Sequence, residues 1–125
     1  MADELIPADV REFIIDHIDS IAQLEALLLL LVHKHERFTA VSVAAQLYIG
    51  ENEARAILAG LCNAGLAGCT DDIYWFNSEA PGLRGLVERV AALYSSHLIP
   101  VTNLVHTKPA GVRAFAAAFR LRKDR

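Results

Sequence analysis

Apolar residues recur along most of this chain at helical spacing, and the places where the period fails are as informative as the places where it holds. Val10, Phe13, Ile14, His17 and Ile18 fall on one stripe behind Pro7, whose missing N–H costs nothing in a first turn, so a helix is predicted there. Ser20 and Gln23 have the spacing of a capping box and open "IAQLEALLLLLV". That segment is apolar on nearly every side, which predicts a central, buried helix over residues 21–35. Thr39 is placed to cap a short helix through Leu47, "YIG" breaks the pattern, and "ENEARAILAGLCNAG" resumes it with Ala54, Ile57, Leu58 and Leu61 on one side. Gly65 is positioned as a left-handed cap with Leu66 folding back onto the last turn.

In "LAGCTDDIYWFN", residues 66–77, the period changes to two. Ile73 and Trp75 take one face, Tyr74 and Phe76 the other, and Thr70-Asp71-Asp72 supplies turn chemistry, so a β-hairpin is predicted with one face covering the helices. Beyond Ser78, the residues Leu83, Leu86, Val87, Val90, Leu93 and Tyr94 restore a helix that ends near His97. Pro100 and the β-branched residues of "LIPVTNLVHT" favour a short extended strand. Thr107 and Pro109 introduce a final helix, whose stripe of Val112, Phe115, Ala116 and Phe119 precedes the basic "RLRKDR".

The fold class expected is therefore mainly α with a small β-hairpin wing. With 125 residues the chain fits a single domain, 1–125, divided into a core at 8–77 and C-terminal helices at 78–125. At 54% hydrophobic and 22% charged residues, composition predicts a globular chain. No apolar run approaches the ~20 residues of a membrane span, so no membrane partner is expected. Cys62 and Cys69, without a recognisable signal peptide, suggest a reducing cytoplasm and two thiols serving as small buried apolar residues, with a disulfide as the lesser alternative.

The net charge of -3 conceals a division. Residues 1–80 carry four Lys and Arg against thirteen Asp and Glu, a balance of -9, while residues 81–125 carry eight against two, a balance of +6. Such polarity bears on partners rather than on fold. "HKH" at 33–35, followed by Glu36, reads as a solvated helix end, because residues two apart point to different sides of a helix. The cysteines lack a second pair at zinc spacing, and "GLCNAG" lacks the Lys-Ser/Thr of a phosphate loop. No nucleophile elbow or dinucleotide fingerprint appears, so neither catalysis, metal nor cofactor is expected.

The order helix, helix, short helix, turn, helix, hairpin, helix resembles the winged helix-turn-helix fold of small bacterial transcription regulators over roughly residues 8–97, most specifically in "ILAGLCNAGLAGCTDDIYWFN". The resemblance implies a reading helix starting near Glu51, with Glu51, Asn52, Glu53, Arg55, Ala56, Ala59 and Asn63 outward, and a wing tip at Thr70, Asp71 and Asp72. It also implies a homodimer through C-terminal helices, for which Val112, Phe115 and Phe119 are the candidate stripe. The tail residues Arg120, Arg122, Lys123 and Arg125 are a candidate basic surface for phosphate or an acidic protein face. The chain departs from its DNA-binding relatives where they carry Arg, Lys, Gln or Ser: two glutamates open its reading helix and two aspartates close its wing. The expected function is a non-catalytic regulatory module acting through protein–protein association, as a homodimer or with a regulatory partner. A direct DNA-binding transcription regulator is the alternative, with nucleic acid disfavoured through the reading helix and wing.

Overall fold

A computed structural model describes residues 6–107. Six helices, α1 (Ala8–His17), α2 (Ile21–Val32), α3 (Ala40–Leu47), α4 (Glu51–Asn63), α5 (Leu83–Ser96) and α6 (Leu98–Thr107), surround a small antiparallel sheet. Its strands β1 (Phe38–Thr39), β2 (Ala67–Thr70) and β3 (Ile73–Phe76) lie in the order β1-β3-β2. The architecture is mainly helical with a small hairpin wing, as the apolar periods predict.

The helix starts follow from local chemistry. The Ser20 hydroxyl accepts from the Gln23 N–H at 3.1 Å, while the Asp19 N–H donates to Gln23 Oε1 at 2.7 Å. Thr39 and Ser42 form a reciprocal capping box at the head of α3. Helix α4 ends as its glycine predicts: Gly65 has φ +79°, and the Leu66 N–H returns to the Leu61 carbonyl at 2.9 Å. Leu66 is consequently buried.

The core joins α1, α2, α4 and α5 to the inner face of the sheet. Val10, Ile14, Leu24, Leu27, Leu30, Leu58, Leu61, Val87 and Val90 are all fully buried. Helix α2 is less uniformly enclosed than its composition predicts. It stops at Val32, three residues short of the expected end, and residues 33–36 form a turn. Along it Glu25 is exposed, Leu28 and Leu29 are half-buried and Val32 is 70% exposed, so one long edge faces outward.

Two further differences concern short or ambiguous segments. β1 adds a third strand to the expected hairpin, with Phe38 opposite Tyr74 and Thr39 opposite Ile73. Residues 98–107 form a helix and not the expected strand. Pro100 occupies the third position of α6, inside the first turn where an N–H has no helical acceptor, and Val101 and Val105 then share one buried face. The predicted last helix, its Val112, Phe115 and Phe119 stripe and the basic tail lie outside the described residues.

Candidate interaction surface

Helices α3 and α4 are joined by Tyr48-Ile49-Gly50. Tyr48 adopts a left-handed φ of 58°, which closes the turn and leaves its side chain 95% exposed. Gly50 caps α4, and Glu51, Asn52 and Glu53 stand exposed in its first turn, where carboxylates complement the helix dipole. Ala56, Ala59 and Asn63 continue this outer face, while Ala54, Leu58 and Leu61 point into the core.

The hairpin runs with Ala67 opposite Phe76, Gly68 opposite Trp75, Cys69 opposite Tyr74 and Thr70 opposite Ile73. Asp71 and Asp72 form its two-residue loop, with φ values of 50° and 67°. Positive φ at both positions is the signature of a type I′ turn, which matches strand twist and which Asp tolerates better than most residues. Conformation thus accounts for the kind of residue found at the tip.

The candidate reading helix and the candidate wing tip are brought together by Arg55. One turn beyond Glu51, its guanidinium donates to Glu51 Oε2 at 2.8 Å and also to Asp72 Oδ1. The hydrogen bond to Glu51 and the charge of Asp72 raise its already high pKa further. The described face of α4 and the tip therefore hold Glu51, Glu53, Asp71 and Asp72 against one arginine, whose charge is already engaged. Phosphate approaching here meets a net negative surface with its single cation occupied.

A second link lies close by, on β2 two residues before the loop. Cys62, in the last turn of α4, is disulfide-bonded to Cys69 of β2. This corrects the expectation of two buried free thiols: Cys62 is half-buried, Cys69 is exposed, and neither is free. It also removes the argument for a reducing compartment that rested on free thiols. The signal was present in the strand parity, because Cys69 shares the Tyr74 face, which packs towards the helices, and the six intervening residues reverse the chain and bring it back to Cys62.

The aromatic triplet divides as its alternation predicts. Tyr74 and Phe76 are buried, whereas Trp75 is half-buried on the outer face. His33 lies beyond the end of α2 and pairs with Glu36 at 2.8 Å. Among the described residues no group of three or more His, Cys, Asp or Glu could hold a metal ion, and no helix is long and apolar enough to cross a membrane.

No protein-family model, curated protein or solved structure matches the chain. Geometry and chemistry alone therefore carry the functional reading.

Proposed function

We propose that the chain is a non-catalytic winged-helix regulatory module, of the transcription-regulator type, that works through protein–protein association and not through direct reading of DNA. The observation that carries this is the engagement of Arg55 by Glu51 and Asp72, which leaves the described outer side of α4 and the hairpin tip acidic, with their one arginine already paired. A face of this kind suits a partner with a basic surface. Tyr48, almost fully exposed beside the first turn of α4, offers the rigid aromatic anchor that protein interfaces favour. The second reading, a DNA-binding regulator, is favoured by one feature: a three-residue turn joins α3 to α4 and leaves the first turn of α4 open to solvent.

The two readings separate in a salt titration of binding to random-sequence and genomic duplex DNA. The proposal expects negligible affinity through this face at physiological salt, and any residual binding to be steeply salt-dependent and indifferent to sequence. Tight, site-specific binding that disappears in Arg55→Ala would establish the DNA-binding reading instead. Sedimentation at micromolar concentration tests the homodimer, with a monomer at all concentrations counting against self-association.

A further inference from the structure

The strand register that places Phe38 opposite Tyr74, continued by one residue, sets Arg37 across from Trp75 on the outer face of the sheet. There the guanidinium carbon lies 4.0 Å above the centroid of the indole. The other side of Trp75 is defined by Gly68, its cross-strand partner, where any Cβ would overlap the indole ring. Trp75 is thus held between a bare backbone and an arginine, and among the described residues no hydrogen bond or ion pair takes up the Arg37 N–H groups.

Beside this stack lies an open cleft of about 250 Å³ lined by Lys34, His35, Glu36, Arg37 and Trp75. Its cations differ from three other arginines among the described residues. Arg55, Arg84 and Arg89 each have a carboxylate within ion-pair distance, whereas no described carboxylate pairs with Lys34 or Arg37. Glu36, the one acid in the lining, is hydrogen-bonded to His33. Two unpaired cations therefore converge on one cleft within the acidic part of the chain.

We propose that this cleft binds the phosphate group of a small phosphate monoester. The Arg37 edge supplies two parallel donors to a pair of phosphate oxygens, and Lys34 supplies a point charge to the third. His35 stands at the rim as a further nitrogen ligand. A phosphate offers three oxygens, two to the guanidinium and one to the ammonium, whereas a carboxylate offers two and leaves one cation without a ligand. This site is separate from the acidic face of α4, so it stands or falls independently of the function proposed above.

Trp75 is the only tryptophan, and its fluorescence together with the Nε1–H resonance reports directly on the cleft. The full chain is titrated with inorganic phosphate and with glycerol phosphate, against sodium acetate and sodium chloride at matched ionic strength, and separately with a single-stranded oligonucleotide. A saturable change with both phosphates, absent with acetate and chloride, is expected. Arg37→Gln and Lys34→Gln should each weaken it about tenfold or more, the order of a lost charge-assisted hydrogen bond. Both substitutions fall outside the core, and Arg84→Gln should leave the response unchanged. An equal response to chloride overturns the site, since it reports only screening. Equal saturation by acetate overturns the phosphate assignment, and saturation by the oligonucleotide alone overturns the small-molecule assignment.

Discussion

Arg55 on α4 and Asp72 at the hairpin tip are seventeen residues apart in sequence and form an ion pair. Glu51, one turn earlier on the same helix, shares the same guanidinium at 2.8 Å. The arginine that a phosphate would seek is therefore the link between helix and hairpin, and its neutralisation separates the protein-association reading from the DNA-binding one.

Releasing that arginine should have a measurable effect. In Glu51→Gln/Asp72→Asn the face loses two negative charges and Arg55 becomes free. Weak, sequence-independent affinity for duplex DNA should rise, with a salt slope corresponding to about one additional phosphate contact. Unchanged affinity across the titration would show that the Arg55 pairing does not govern access of phosphate to this face.

Leu30 and Leu28 should respond differently to truncation. Leu30 is fully buried, so Leu30→Ala should cost about 2 to 5 kcal/mol, whereas Leu28 lies on the half-covered edge of α2 and should cost clearly less. Chemical denaturation of the two variants checks this order. Equal losses would mean that the outward edge of α2 is covered in solution.

The Cys62–Cys69 bond closes a ring of eight residues around the end of α4. On the chain-entropy account, a ring of that size stabilises the fold by about 2.5 kcal/mol. Reduction, or Cys62→Ser/Cys69→Ser, should lower stability by that order and accelerate amide exchange in β2 and β3 more than in α1. Uniform acceleration across the domain would show that the bond supports the whole core and not the hairpin locally.

Trp75 rests on Gly68, and Gly68→Ala removes the space it occupies. The indole should be displaced, with a red-shifted emission and a loss of about 1 to 3 kcal/mol from overpacking. Emission and stability identical to the parent would contradict the described position of the ring.

Asp9 and Arg89 link α1 to α5, and the hydrogen bond from Arg89 holds the Asp9 carboxyl below its ordinary value of 3.8. A carboxyl with a lower pKa in the folded state stabilises the fold fully above the unfolded value, and that contribution fades as pH falls through the folded value. An NMR titration should find the Asp9 pKa below 3.8 in the parent and closer to it in Arg89→Gln. No movement would mean that the pair is not formed in solution.

Helices with long, one-sided apolar periods were legible in the sequence: the stripe of α1, the Leu58–Leu61 side of α4 and the Val87–Val90 side of α5 all face the core. So was the Gly65 cap, because a left-handed residue followed by a leucine has a specific chemistry. β1 was not, since two residues are too few to show a period and its pairing is wholly tertiary. In residues 98–107, Pro100 and the β-branched residues weigh towards strand, yet the spacing of Val101 and Val105 determines which face can be buried against α1 and α5. At the candidate surface, the helical spacing of Glu51 and Arg55 was visible, while Asp72 and the Cys62–Cys69 bond depend on how the hairpin folds back along α4.

The hairpin is fastened to α4 twice near its tip, by Asp72 in the loop and by Cys69 two residues before it. With its tip tied down at two points and its base running directly on from α4, it has little freedom to swing or to reshape itself around an incoming molecule. On the protein-association reading, recognition by this face would be close to rigid-body docking, in which the surface loses little entropy on association and selectivity comes from a fixed spacing between Tyr48 and the four carboxylates. Any adjustment required to form the complex then falls to the partner.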